Sequence, residues 1–145
     1  MNGWHLTKRF FGSWSKRPVT PGDLAWVASV LSEAELALWR RHVVEDQRHT
    51  VRVARRFVAR RPAATRPEVA GALLHDIGKV DVGLSVFGRV VARLVGPRTG
   101  ALRAYLDHEN IGAERLEAIG SHPDTVTLAR GTGPAFKDLR AADTY

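Results

Sequence analysis

The chain has 145 residues, 44% of them hydrophobic, and 22 Lys+Arg against 15 Asp+Glu give it a formal charge of +7. That length suits one domain with a buried core. The absence of cysteine excludes disulfides and thiolate metal sites. No apolar run approaches the roughly 18 residues of a transmembrane helix, and the first residues lack the apolar core of a signal peptide, so a soluble, cytoplasmic protein is expected.

Residues 1–19 mix aromatic and basic side chains, including Trp4, Phe10, Phe11 and Trp14 among Lys8, Arg9, Lys16 and Arg17. They read as an arm ahead of a helical domain over 20–145. The arm either lies at a membrane interface or packs its rings on the domain or on a second subunit. Thr20 before Pro21 is an N-cap followed by a proline at the first helical position, which predicts a short helix over 21–30. Ser32 with Glu35 forms a capping-box pattern. It predicts a long helix through Leu36, Trp39, Val43 and Val44, kinked near Glu45 and continuing to about Arg60, where Arg61-Pro62 stops it.

Nine arginines fall between Arg40 and Arg66. Arg41, Arg48, Arg52 and Arg55 form a stripe at helical spacing, either a solvated face or a surface for nucleotides, nucleic acid or anionic lipid. His49 sits near the apolar side of the same helix. Asp46 lies three residues earlier, within reach of its ring N–H. Arg56 shares the His49 face and is either a surface arginine or a phosphate contact.

Thr65-Arg66-Pro67 opens the next helix, predicted to run through Val69, Leu73 and Leu74 into His75-Asp76, with Gly78 breaking it. A loop over 80–83 and an amphipathic helix through Leu84, Phe87, Val90, Val91 and Leu94 follow, ended by Gly96-Pro97. Ile111, Leu116 and Ile119 give the buried face of a helix that begins near Asp107-His108 and stops at Gly120. Gly112 within it leaves room for another backbone or a substrate. His122 starts a short helix ending at Ala129, and a last helix spans 135–143 with Phe136 and Leu139 buried. Apolar spacing of three and four residues in nearly every segment makes the fold class all-α, a bundle of about six or seven helices.

The chemistry concentrates at Ala72-Leu73-Leu74-His75-Asp76-Ile77-Gly78-Lys79. Neighbouring side chains on a helix diverge by about 100°, but at a helix end they can converge on a central ion. Imidazole and carboxylate together suit borderline divalent metals.

This stretch resembles the central motif of the HD-domain superfamily of metal-dependent phosphohydrolases. Asp46 to Ala54 resembles that family's first-histidine helix, and Leu139-Arg140-Ala141-Ala142-Asp143 its closing alanine-aspartate helix. The resemblance covers roughly residues 32–143. It implies a helical bundle in which His49, His75, Asp76 and Asp143 bind a divalent ion (Mn, Fe, Co, Ni, Zn or Mg). It further implies hydrolysis of a phosphomonoester or phosphodiester of a nucleotide-like substrate by a metal-activated water. Asp76 and Lys79 would be the catalytic pair, with Lys79, Arg52 and Arg56 on the phosphate. His108, followed by Gly112, resembles a segment that supplies a further histidine in two-metal members, and Asp46 would orient a ligand from behind. Where two-metal members carry further histidines this chain has Leu128-Ala129-Arg130-Gly131, so one ion per chain is expected. The other readings are a regulatory module that binds metal and nucleotide, a nucleic-acid binder and a di-iron oxygenase. A homo-oligomer fits any of them.

Overall fold

The computed structural model describes residues 17–78 and 108–144. The expectations for the N-terminal arm before residue 17, for Lys79, for the loop at 80–83 and for the helix through 84–94 lie outside the described residues. Within them the chain is all-α: seven helices and no strand. These are α1 (Pro21–Val30), α2 (Glu33–Trp39), α3 (Val44–Arg60), α4 (Arg66–Leu73), α5 (His108–Ala118), α6 (Pro123–Ala129) and α7 (Phe136–Ala142).

Side chains written into the sequence set the helix starts. Thr20 Oγ1 accepts the Asp23 N–H at 3.2 Å, with Pro21 behind it where a missing N–H costs nothing. Ser32 and Glu35 close the expected capping box on α2, and Thr65 with Glu68 closes another on α4. His122 caps α6, its Nδ1 accepting the Asp124 N–H at 3.0 Å.

The single long helix expected from Ser32 to Arg60 is two helices. Trp39 is fully buried, and its indole N–H donates to Thr50 Oγ1 at 3.0 Å, eleven residues further on. On one continuous helix those two residues would stand about 16 Å apart, so the chain must turn between them. It does so over Arg40–Val43, with Val43 extended. Gln47 Nε2 reaches back to the carbonyls of Arg40 and His42, at 3.3 and 3.2 Å. Carbonyls at a helix end need partners of this kind.

A second boundary also differs. The α-helical run of α4 ends at Leu73, ahead of His75-Asp76, and the pair occupies the turn that follows. In α5, Leu116 is buried as expected, but Ile119 is 38% exposed and Ala113 takes the place expected for it. Phe136 is half-buried against the core, and Leu139 is buried in it.

The core is built around α4, which packs against α3 and α6, while α7 lies on α3 and α5 on α6. Gly71 makes the α4–α6 approach possible, since a Cβ there would stand 3.0 Å from Leu128 Cβ. Thr125 Oγ1 donates to Pro67 O at 2.7 Å and pins the same pair. The buried Glu35 carboxylate accepts from Ser32 N–H and from Ser121 O–H, both at 2.8 Å, and so joins α2 to the loop before α6.

Candidate metal centre

His49 stands on α3 at the border between its buried and cationic faces, with Thr50, Val53 and Phe57 in the core on one side and Arg52 and Arg56 on the other. His75 and Asp76 come from the turn that ends α4, and Asp143 from the C-cap of α7. Residues far apart in sequence thus meet where three helices pack. One ligand atom each from His49, His75 and Asp143 lies within 4.8 Å of the others.

The separations fit a shared ion. His49 Nε2 is 3.0 Å from Asp143 Oδ1, and His75 Nε2 is 3.7 Å from the same oxygen. Asp76 divides its carboxylate between the histidines, Oδ1 3.5 Å from His75 Nε2 and Oδ2 3.9 Å from His49 Nε2. Four ligands held about 2.1 Å from a tetrahedral ion would stand about 3.4 Å apart. These distances bracket that value.

The state of His75 supplies a second test. Its Nδ1 must donate to the Ala72 carbonyl at 2.7 Å, since a carbonyl only accepts. That bond satisfies a carbonyl at the end of α4 and fixes the tautomer, as the outer partner of a ligating histidine does. It leaves Nε2 facing the carboxylates, and Nε2 is buried without a hydrogen-bond partner. A buried polar atom in that condition is costly unless something binds it. Two imidazole nitrogens and two carboxylates form a donor set that borderline divalent metals accept. Of these, His49, His75 and Asp143 form a group that could hold a metal ion.

Electrostatics without the ion lead the same way. Burial by itself would lower the His75 pKa, but the Asp76 and Asp143 charges outweigh it and raise it to about 9. Burial pushes the Asp143 carboxyl upward, whereas His49 and His75 draw it well below the ordinary carboxylate range. The site therefore holds a proton on an imidazole where a cation is wanted. Residues that perturb one another this strongly mark functional sites more often than chance.

The other expected site residues fall as follows. Asp46 is half-buried one turn before His49. Arg52 is exposed three residues after His49, on the adjoining face. Arg56 Nη1 donates to Ala142 O at 3.5 Å, so it fastens the end of α7 beside Asp143, a role its spacing alone did not reveal. His108 opens α5, and its side chain lies outside the described residues, as does all of Lys79. Arg55 leaves the expected stripe: it pairs with Asp23 at 2.9 Å and stacks 3.9 Å over Trp26, fixing α1 to α3.

Gly112 settles which of its two expected neighbours comes close. A Cβ there would meet Ile77 Cγ2 at 3.0 Å and Gly78 N at 3.1 Å. The close approach is thus by the backbone of the His-Asp turn, which α5 supports from behind. Two supports were missed in the sequence: the Ala72 carbonyl, and the Arg61 pairings with Glu68 and Asp138 that tie α3 to α4 and α7. The Thr65/Glu68 capping box was a legible signal for the second.

Comparison of the chain with protein-family models, with curated proteins and with solved structures finds no match.

Proposed function

We propose that this chain is a metal-dependent phosphohydrolase of the HD type, acting on a phosphomonoester or phosphodiester of a nucleotide-like substrate. The observation that carries the reading is the meeting of His49, His75 and Asp143, with Asp76 beside both histidines, at distances suited to one divalent ion. Two neutral imidazoles and two carboxylates balance a doubly charged ion. Arg52 and Arg56, beside His49 on α3, then favour an anionic substrate. The bound ion would supply water of lowered pKa and neutralise charge on the phosphoryl group.

The residues' own parts follow from their places. His75 keeps Nε2 toward the site because Ala72 holds Nδ1. Asp143 is kept ionised by the two histidines. Arg56 holds the α7 terminus that carries Asp143. Lys79, next to the His-Asp turn in sequence, is assigned to the substrate phosphate by its place in the motif.

The test is turnover of a panel of phosphomonoesters, phosphodiesters and nucleotides by metal-loaded protein. Ion-dependent release of phosphate or nucleoside monophosphate, abolished in Asp143→Ala, is the expected result. Nucleotide binding with metal present and no turnover of any ester would assign the chain to a regulatory module instead.

A further inference from the structure

A cleft of about 290 Å³ lies where the start of α4 meets the starts of α2 and α6. Pockets for drug-sized ligands hold about 300–1,000 Å³, so this one suits a small molecule. None of the candidate metal ligands lines it. The eight residues of α4, about 12 Å of helix, separate it from the His-Asp turn at the other end. It is a second site, distinct from the metal centre.

Glu35 is part of its wall and is only 6% exposed. Its Oε1 accepts the Ser32 N–H and its Oε2 the Ser121 O–H, both at 2.8 Å. These bonds take two of the roughly four lone-pair sites of a carboxylate. Neither donor is a cation, and no Lys, Arg or His among the described residues lies within salt-bridge distance of Glu35. Glutamate is almost never buried unless paired. The missing cation has room to come from a ligand in the cleft. Arg66 lines the same cleft. Its Nε donates to Val30 O at 2.9 Å, which anchors the side chain and leaves both Nη groups without a partner among the described residues. His122, also in the wall, accepts the Asp124 N–H at Nδ1, so its Nε2 carries the ring proton and is a further donor.

A bare anion in this cleft would meet the Glu35 charge, and a bare cation the Arg66 charge. A zwitterion answers both. A cavity of this volume is about 8 Å across if round, and two charge-assisted hydrogen bonds of about 2.8 Å with an amino acid's own charges between them span a similar distance. Val30, Pro67 and Ala70 supply the apolar part of the lining. We infer that the cleft binds a free α-amino acid with a small aliphatic side chain. The ammonium rests on Glu35, the carboxylate on Arg66 and His122, and the side chain on Val30, Pro67 and Ala70. This site does not depend on the phosphohydrolase reading.

The experiment is titration calorimetry of the full chain, with and without divalent ion, against glycine, L-alanine, L-valine and L-leucine. Isobutylamine and isovalerate, which are valine without its carboxylate and without its ammonium, complete the set. One aliphatic amino acid or more should bind at one molecule per chain, tighter than glycine and alike with and without the ion. Isobutylamine and isovalerate should each bind at least tenfold more weakly than valine, the scale of losing one charged hydrogen bond. Glu35→Gln keeps an acceptor for Ser32 and a donor for Ser121, so it removes the charge and spares the cap. It should weaken amino-acid binding at least tenfold with the far-UV spectrum unchanged. Arg66→Gln, at an exposed position, should do the same and carries the test if Glu35→Gln does not fold.

No binding of any of the four amino acids at about 10 mM would overturn the inference. So would wild-type affinity in folded Glu35→Gln or Arg66→Gln. Isobutylamine or isovalerate binding as tightly as valine would overturn it in favour of a simple cation or anion site. Binding that needs the ion and survives Glu35→Gln would place the amino acid on the metal centre and overturn it too. Ion-independent binding lost in Glu35→Gln would support the inference even in a chain that hydrolyses no phosphoester.

Discussion

At the residue scale, His75 decides how the site responds to pH. Its pKa in the folded chain, about 9, lies above its ordinary value of 6.5. In the ion-free protein its contribution to stability is therefore complete below pH 6.5 and lost as pH rises through 9. Asp143 is shifted the other way, so its contribution holds above its ordinary 3.8 and is lost as pH falls through its lowered value. An ion taking Nε2 must displace the His75 proton. Between pH 6.5 and 9, metal affinity should rise about tenfold per pH unit for one proton released. Calorimetry at pH 7.5 in buffers of different ionisation enthalpy should find one proton released per ion. Proton-neutral binding would mean that His75 is already unprotonated, or is not a ligand.

The elements that aim these residues make predictions of their own. Thr50 accepts the Trp39 indole N–H inside the α2–α3 bend. Thr50→Val keeps the shape and leaves that donor buried without a partner, at a cost of about 1–3 kcal/mol. Urea denaturation should show the loss, and an unchanged midpoint would remove the bond from the account of the bend. Gly112→Ala tests the support behind the His-Asp turn. Helix propensity favours alanine by about 1 kcal/mol, whereas the added methyl would press on Ile77 and Gly78. The expected outcome is weaker metal binding in a protein whose helix content is unchanged. Full metal affinity would show that the turn has slack. The sequence disclosed elements best where they announce themselves locally. Thr20-Pro21, Ser32/Glu35, Thr65 and His122 cap the helices assigned to them because a cap needs only neighbours within three residues. The bend at Arg40–Val43 was hidden because its cause, the Trp39–Thr50 bond, spans eleven residues and a helix axis. Ile119 was misplaced for a related reason: α5 rotates Gly112 and Ala113 inward to meet the His-Asp turn and α6.

On the scale of the whole molecule, the all-α architecture was legible from apolar spacing, and the candidate metal residues from the order of a histidine, a His-Asp pair and a distant aspartate. Their geometry was not. It comes from α7 lying on α3 and α4 packing between α3 and α6, contacts that pair residues up to 94 positions apart, as His49 and Asp143 show. The part played by Arg55 was equally hidden. Spacing put Arg55 on the stripe, and only its approach to Asp23 and Trp26 removed it. The central claim is that His49, His75, Asp76 and Asp143 together bind one divalent ion. Elemental analysis of wild type and of Asp143→Ala, each loaded with Mn, Fe, Co, Ni or Zn and then desalted, tests it most directly. One ion per chain is predicted in the wild type, with loss of most of it in a variant that remains helical. A wild type that retains no ion of any kind, or an Asp143→Ala protein that keeps a full complement, would contradict the claim.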